Sequence, residues 1–331
     1  MQKQNKFQEF WKQVQDEINA MINPQTGLID ANYTLSRACP VCNSTQADFI
    51  FNKYGFTHVR CRHCSLVYVE PVLSEENLIK MYQSTHSLDL YATLLTNESK
   101  KRRDLNSLAI VKKVKEKKKT PGMKWLDIGC GYGSLLKEAK KEGFEVFGIE
   151  PSKDCQKHLR KEVGAVVFDT LDSATLSEGY FDVISLKQVI EHLFDPRAIV
   201  QHCYRLLKPG GVLWIATPNT KGAGMKLMKA AHPSYQRGHI NMFNQLSMRK
   251  LLRDAQFHDL HLSTYGLKTL HLLSFLKGAK DVRKEVFKAV DALPTEGGWK
   301  RKMYYRGVLP SVNFFTKVTR TGDYLEVFAF K

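Results

Sequence analysis

Trp125-Leu126-Asp127-Ile128-Gly129-Cys130-Gly131-Tyr132-Gly133-Ser134-Leu135-Leu136 reads as strand, turn and helix within twelve residues. A short apolar strand, Lys124–Ile128, runs into three alternating glycines, and a helical pattern spans Ser134–Glu142. Glycines let the backbone turn sharply and approach a ligand without Cβ clashes. Seventeen residues after Gly133, Glu150 ends the next apolar run, Phe144–Ile149. A carboxylate at a strand end suits the two hydroxyls of an adenosine ribose. Dinucleotide-binding proteins share the glycine loop and the acid. Their G-x-G-x-x-G register, however, would need glycine at position 134, where Ser134 stands. Asp127 would also repel a pyrophosphate, whereas it would attract an amino-acid ammonium group.

The alternation continues outward from this unit. Helices are expected over Lys153–Glu162, Pro196–Leu207 and Gln245–Ala255. Strands are expected over Ala165–Phe168, Phe181–Leu186, Gly211–Ala216, Phe257–Tyr265 and Tyr324–Phe330. Such alternation predicts an α/β fold with a doubly wound parallel sheet, whose ligands bind at the carboxyl ends of the strands. Before it, Phe7, Phe10, Trp11, Val14 and Ile18 recur at helical spacing and predict an amphipathic helix within 1–30. Residues 75–119 read as a helical connector, broken at Thr120-Pro121-Gly122. The core is expected over 120–265 plus 321–331, with a basic helical insertion, 266–320, before the last strand.

Two C-x₂-C pairs, Cys39/Cys42 and Cys61/Cys64, stand 18 residues apart. Each pair can present two thiolates to one tetrahedral Zn²⁺, so residues 31–72 are expected to form a zinc ribbon. With all four positions filled by cysteine, the ion would be structural, holding a segment with little core of its own. The isolated Cys130, Cys155 and Cys203 are expected to pack.

WLDIGCGYGSLL resembles the first motif of class I S-adenosylmethionine-dependent methyltransferases. VFGIEPS (147–152), YFDVISLKQVIEHLFDP (180–196) and LLKPGGVLWIATPN (206–219) match further motifs in order. The resemblance implies a seven-stranded Rossmann-like sheet whose last strand, 323–331, inserts antiparallel. It implies that Asp127, Gly129, Gly131 and Gly133 hold the methionine portion of the donor and that Glu150 binds its ribose. Asp169 would contact the adenine, and Gln188 would sit under the donor. The segment CPVC…CRHCSLVYVEPVLSEENLIKMY is similar to a zinc-binding domain fused to many bacterial enzymes of this class.

The sulfonium methyl is already activated, so the protein mainly aligns a displacement. A base or a metal can take up the acceptor's proton, and Glu191, His192 and His239 are the candidates. Small-RNA 2′-O-methyltransferases and ubiquinone-pathway O-methyltransferases carry a similar Glu-x-x-Glu-His segment, with a later His in the RNA enzymes, that together bind a divalent ion. The resemblance thus implies a second divalent metal at Glu191, His192 and His239, with Gln188 standing in place of the first Glu.

The formal net charge is +17. Residues 1–99 and 125–220 each carry net −2, whereas 100–124 carries +9 and 221–331 carries +12. A small-molecule or glycan acceptor, such as a sugar hydroxyl or carbon, free or nucleotide-linked, is the leading expectation. RNA is the alternative, through the basic tracts and the aromatic-basic stretch 299–306. Residues 267–290 mix apolar and basic positions, as a helix on a membrane surface or a lipid-linked acceptor would require. No apolar run reaches the roughly 18 residues of a membrane span, so a cytoplasmic protein, at most peripheral to the inner face of the membrane, is expected.

Overall fold

The computed structural model describes residues 16, 18–84, 97–171, 176–279 and 309–331. The helix expected around Phe7–Val14, the stretch 299–306 and positions 280–290 lie outside the described residues.

β1 (Thr34–Leu35), β2 (Ala47–Lys53), β3 (Phe56–Cys61), β4 (Val67–Val69) and β5 (Val72–Leu73) come first. They are followed by α1 (Glu75–Ser84) and α2 (Asn97–Lys117). The alternating part follows as β6 (Lys124–Ile128), α3 (Ser134–Lys141), β7 (Glu145–Ile149), α4 (Lys153–His158), β8 (Val166–Phe168), β9 (Phe181–Lys187) and α5 (Pro196–Leu206). Then come β10 (Leu207–Pro218), α6 (Ala223–Met228), β11 (Asn241–Met242), α7 (Gln245–Asp254), β12 (His258–Tyr265), α8 (Thr269–Leu276), α9 (Leu309–Val318) and β13 (Tyr324–Phe330).

Seven strands form one sheet in the order β12-β13-β10-β9-β6-β7-β8. β8, β7, β6, β9 and β10 run parallel, and β13 lies antiparallel to both β10 and β12. The inserted last strand is therefore where its sequence motif implies. β9 is buried from Phe181 through Leu186, which explains its almost unbroken apolar run. One face of the sheet packs Trp125, Val183 and Trp214 against α2 and α3. The α2 side chains Ser107, Val111 and Val114 are buried at i, i+4 and i+7. The other face packs Ile184, Leu186, Leu213 and Ile215 against Val200 and Leu206 of α5 and Leu251 and Leu252 of α7.

Local chemistry sets the helix starts. Asp195 Oδ1 accepts from the backbone N–H groups of Arg197 and Ala198, with Pro196 in the first turn of α5. Asn244 and Ser247 form a reciprocal capping box at α7. The helix expected over 153–162 changes character: α4 ends at His158 and continues as a wider turn, Leu159–Val163, closed by left-handed Gly164 at φ +64°.

β11 was not legible, because two residues carry no periodicity. It pairs antiparallel with β4, Asn241 against Tyr68 and Met242 against Val67. It thereby becomes the outer strand of the ribbon's sheet, ordered β11-β4-β3-β2. The cysteine-bearing segment and the large sheet also share one hydrophobic cluster, since Cys39, Val41, Leu66 and Tyr68 belong to the cluster containing Ile184 and Ile215.

Candidate functional site

β6 and β9 are adjacent, and the chain leaves them in opposite directions, toward β7 on one side and β10 on the other. In a parallel sheet a crevice opens at that point beyond the carboxyl ends. The glycine loop after β6 and the Gln188–His192 segment after β9 flank it.

Gly129, Gly131 and Gly133 all adopt left-handed φ, +65°, +52° and +69°. A Cβ on Gly129 would stand 2.6 Å from Val189 Cγ2, and one on Gly133 would overlap Leu159. A Cβ on Gly131 would meet nothing within 4 Å. The outer glycines thus satisfy packing, and the middle one presents open backbone to the crevice. Glu150 is buried, and its two carboxylate oxygens accept from the backbone N–H groups of Gly131 (2.8 Å) and Ser152 (2.9 Å). Each oxygen retains a second lone pair for a ligand hydroxyl. The cradle therefore fits a nucleoside with a free ribose diol.

Asp127 is 3% exposed and accepts from Ser185 Oγ at 2.5 Å, while Trp125 Nε1 donates to the same hydroxyl at 2.8 Å. Burial raises the Asp127 pKa to about 7, opposed by Ser185 and by the charge of Lys187. Ser185 and Lys187 were not legible as site residues, because each reads as an ordinary strand position. Asp169 lies after β8, where its carboxylate accepts from Gln156 Nε2 at 2.6 Å and pairs with Lys153 at 2.5 Å. Gln156 also donates to Glu150 O at 2.7 Å, so the acids after β7 and β8 share one bridge. Gln188 is left-handed at φ +57°, and its amide donates to Ala216 O at 3.1 Å.

The second half of the crevice assembles from distant segments. One ligand-capable atom each of Glu191, His192 and His239 lies within 4.8 Å of the others. The His192 and His239 rings meet edge to face, with centroids 4.6 Å apart. His192 Nδ1 is 2.8 Å from Gly238 O. A carbonyl can only accept, so Nδ1 carries the proton and Nε2 carries the lone pair. Burial lowers the His192 pKa to about 4, which keeps the ring neutral. Glu191 is fully buried, and burial raises its pKa to about 7. Its Oε2 accepts from Thr217 Oγ1 at 2.9 Å, while Oε1 has no hydrogen-bond partner. That orphaned buried oxygen beside two imidazoles fits a proton or a divalent cation. His239 contacts the Gln236 side-chain amide at 2.5 Å. The structure thus brings together the three residues singled out for proton or metal chemistry.

The four cysteines also converge. Cys39 Sγ lies 3.5 Å from Cys64 Sγ, and Cys42 Sγ 3.4 Å from Cys61 Sγ. Tetrahedral zinc with bonds of about 2.3 Å separates its sulfurs by roughly 3.8 Å, so the cluster fits such an ion with slight expansion.

The lysines at the end of the basic run are engaged with neighbouring elements of the sheet and its helices. Lys113 pairs with Glu326, Lys115 with Glu142 at 3.0 Å and Lys119 with Asp259 at 2.6 Å. Lys118 Nζ donates to Thr120 O and Gly122 O, just ahead of β6. These partners place the end of the run at the amino-terminal end of β6, opposite the glycine loop. Among the described residues, no helix is long and apolar enough to cross a membrane.

Residues 98–262 match the family described as "Methyltransferase domain". The chain is 34% identical over 105 residues to the ubiquinone biosynthesis O-methyltransferase of Methylococcus capsulatus, covering 30% of this chain and 44% of that protein. It is 33% identical over 130 residues to the protein of the same name from Pseudomonas aeruginosa, covering 37% and 56%. The chain therefore spans about half the length of the curated relatives it matches. A SAM-dependent methyltransferase structure from Archaeoglobus fulgidus aligns with TM-score 0.44 at 18% identity, covering 69% of this chain and 94% of that one.

Proposed function

We propose that this chain, which belongs through residues 98–262 to the S-adenosylmethionine-dependent methyltransferases, methylates a hydroxyl group of a small molecule. The observation that carries this reading is the convergence of Glu191, His192 and His239 beside the donor-type glycine loop. Asp127 faces the donor's ammonium group and Glu150 its ribose. Asp169 stands at the adenine end, and Gln188 lines the floor beneath the donor. The acceptor oxygen attacks the methyl carbon as the carbon–sulfur bond breaks, and the electron pair of that bond stays on sulfur. The hydroxyl proton passes to a histidine, for which neutral His192 presents its Nε2 lone pair. Glu191 and His239 are buried and His192 half-buried, which limits water at the cluster and keeps the donor for the intended acceptor.

Glu191 Oε1 favours a second use of the same residues. Glu191, His192 and His239 would hold a divalent ion that lowers the pKa of a bound hydroxyl. Zinc on Cys39, Cys42, Cys61 and Cys64 would hold the ribbon.

The relatives are named O-methyltransferases of ubiquinone biosynthesis, which supports oxygen over carbon as the acceptor atom. A ring hydroxyl and a sugar hydroxyl are the two acceptor chemistries to separate. RNA draws little support, because Lys113, Lys115, Lys118 and Lys119 are engaged within the protein. Exposed Leu273 and Leu276 on α8 keep a lipid-linked acceptor or a peripheral membrane contact under test. Transfer of tritium from methyl-labelled donor to catechols, nucleotide sugars, total RNA and vesicle-borne polyprenyl acceptors decides among these classes. Labelling of a catechol or a sugar supports the reading, and labelling of RNA alone contradicts it.

A further inference from the structure

We propose that Arg37, two residues before the first cysteine, is a positioning residue that sets the separation of His192 and His239. The inference rests on the functional reading above only for its consequence in turnover. The geometry itself is independent of it.

The two histidines come from segments 47 residues apart in the chain. His192 ends a short turn, Ile190–His192, and Leu193-Phe194 follow it. His239 immediately precedes Ile240-Asn241. Arg37 reaches both segments from the ribbon. Its Nη1 donates to Phe194 O at 3.0 Å. Its Nη2 donates to Ile240 O at 3.2 Å and to Asn241 Oδ1 at 3.0 Å. Asn241 Nδ2 in turn donates to Leu193 O at 2.6 Å, so the guanidinium and one amide lace the two segments together.

The anchor is well placed to be rigid. The guanidinium lies 5.8 Å from the ring centroids of both Tyr68 and Phe194. The Arg37 backbone N–H donates to Glu70 Oε2 at 2.9 Å, and Val69 N–H donates to the same Ile240 carbonyl at 3.0 Å. A planar fork that bonds two carbonyls at once fixes their spacing in a way a single ammonium cannot. The His192 Nδ1 bond to Gly238 O depends on that spacing, since its two ends sit on the two laced segments. A displacement of about 1 Å at a reacting centre costs on the order of 10²-fold in rate, so the clamp bears directly on the chemistry. The ribbon then has a second task besides its own stability, which is to present Arg37.

The test reads the histidine rings, so no acceptor is needed. In ¹⁵N-labelled protein, the wild-type His192 ring gives the Nδ1-protonated tautomer. R37A is expected to shift the His192 and His239 rings and to erase that tautomer preference. The His232 ring, held by Asp323, keeps its signals. R37K, which retains charge but not the fork, is expected to shift the same two rings by less. Free guanidinium at tens of millimolar restores the R37A spectrum toward wild type. Affinity for S-adenosylhomocysteine stays within about twofold, because the glycine loop is untouched. Unmoved His192 and His239 rings in R37A overturn the proposal, as does movement of His232 together with them in both variants. If the rings respond while replacement of both histidines leaves turnover intact, the clamp stands and the functional reading fails.

Discussion

The two halves of the crevice are built from different materials. The half proposed to hold the donor is local: Asp127, the three glycines and Glu150 fall within 24 residues and are fixed by backbone conformation and by neighbouring parallel strands. The half proposed to serve the acceptor is assembled from Arg37 in the cysteine-bearing segment, Glu191 and His192 after β9, Thr217 at the end of β10, and His239 before β11. A local site survives wherever its sheet survives. An assembled site depends on every joint between its contributors, so perturbations away from the crevice should affect the two halves unequally.

The largest effect should come from the ribbon. Structural zinc contributes on the order of 10 kcal/mol to small metal-held folds, so, with zinc on the four cysteines as proposed, C61S/C64S should lose the metal and unfold the ribbon. Proteolysis should then cut within 31–72, while S-adenosylhomocysteine still binds to the remaining sheet. Equal loss of donor binding would erase the contrast between the halves.

Asp127 supplies the next effect. Its folded pKa of about 7 lies above the ordinary carboxylate value, so its protonated form is favoured by folding. The associated stability is present below about pH 4 and is lost as pH rises toward 7. D127N should therefore stabilise the ligand-free protein at pH 8 by about 1–4 kcal/mol and flatten the pH profile of denaturant unfolding. It should weaken donor binding at the same time, since the carboxylate proposed to face the ammonium is gone. A D127N profile with the wild-type slope between pH 4 and 7 would break this account.

E150A should weaken donor affinity by about 1.5–3 kcal/mol, the range for hydrogen bonds to a charged group. Calorimetry checks this, and the His192 and His239 ring signals should not change. K115A and K119A should be the mildest, each changing stability by about 0–1 kcal/mol, as exposed ion pairs do, with no change in donor binding.

Much of this was legible because it is periodic or local. The sheet strands, the glycine loop, Glu150 and the cysteine pairs each announce themselves by spacing within a few residues. Glu191, His192 and His239 were candidates by residue type, their grouping as one site came from resemblance to a motif, and the structure brings them within reach of one another. Arg37, Thr217 and β11 were not legible. Their roles come from contacts across 26 to 204 residues of chain, and nothing in their immediate neighbours encodes such a contact. The charge was legible only as totals. A run of lysines reads first as a solvated helix face, and the structure adds its partners, Glu326, Glu142, Asp259 and backbone carbonyls brought alongside by folding. Total charge is a property of composition, whereas free charge is a property of tertiary contacts.

The most direct test of the central claim is a comparison of methyl transfer by wild type and by H192A/H239A, with donor affinity measured on the same samples. The labelled-donor screen supplies the acceptor. Loss of the proton-accepting pair should lower turnover by about 10²–10⁴-fold while donor affinity stays near wild type. Unchanged turnover in the double variant, with the donor bound normally, would contradict the assignment of the assembled half of the crevice to the chemistry.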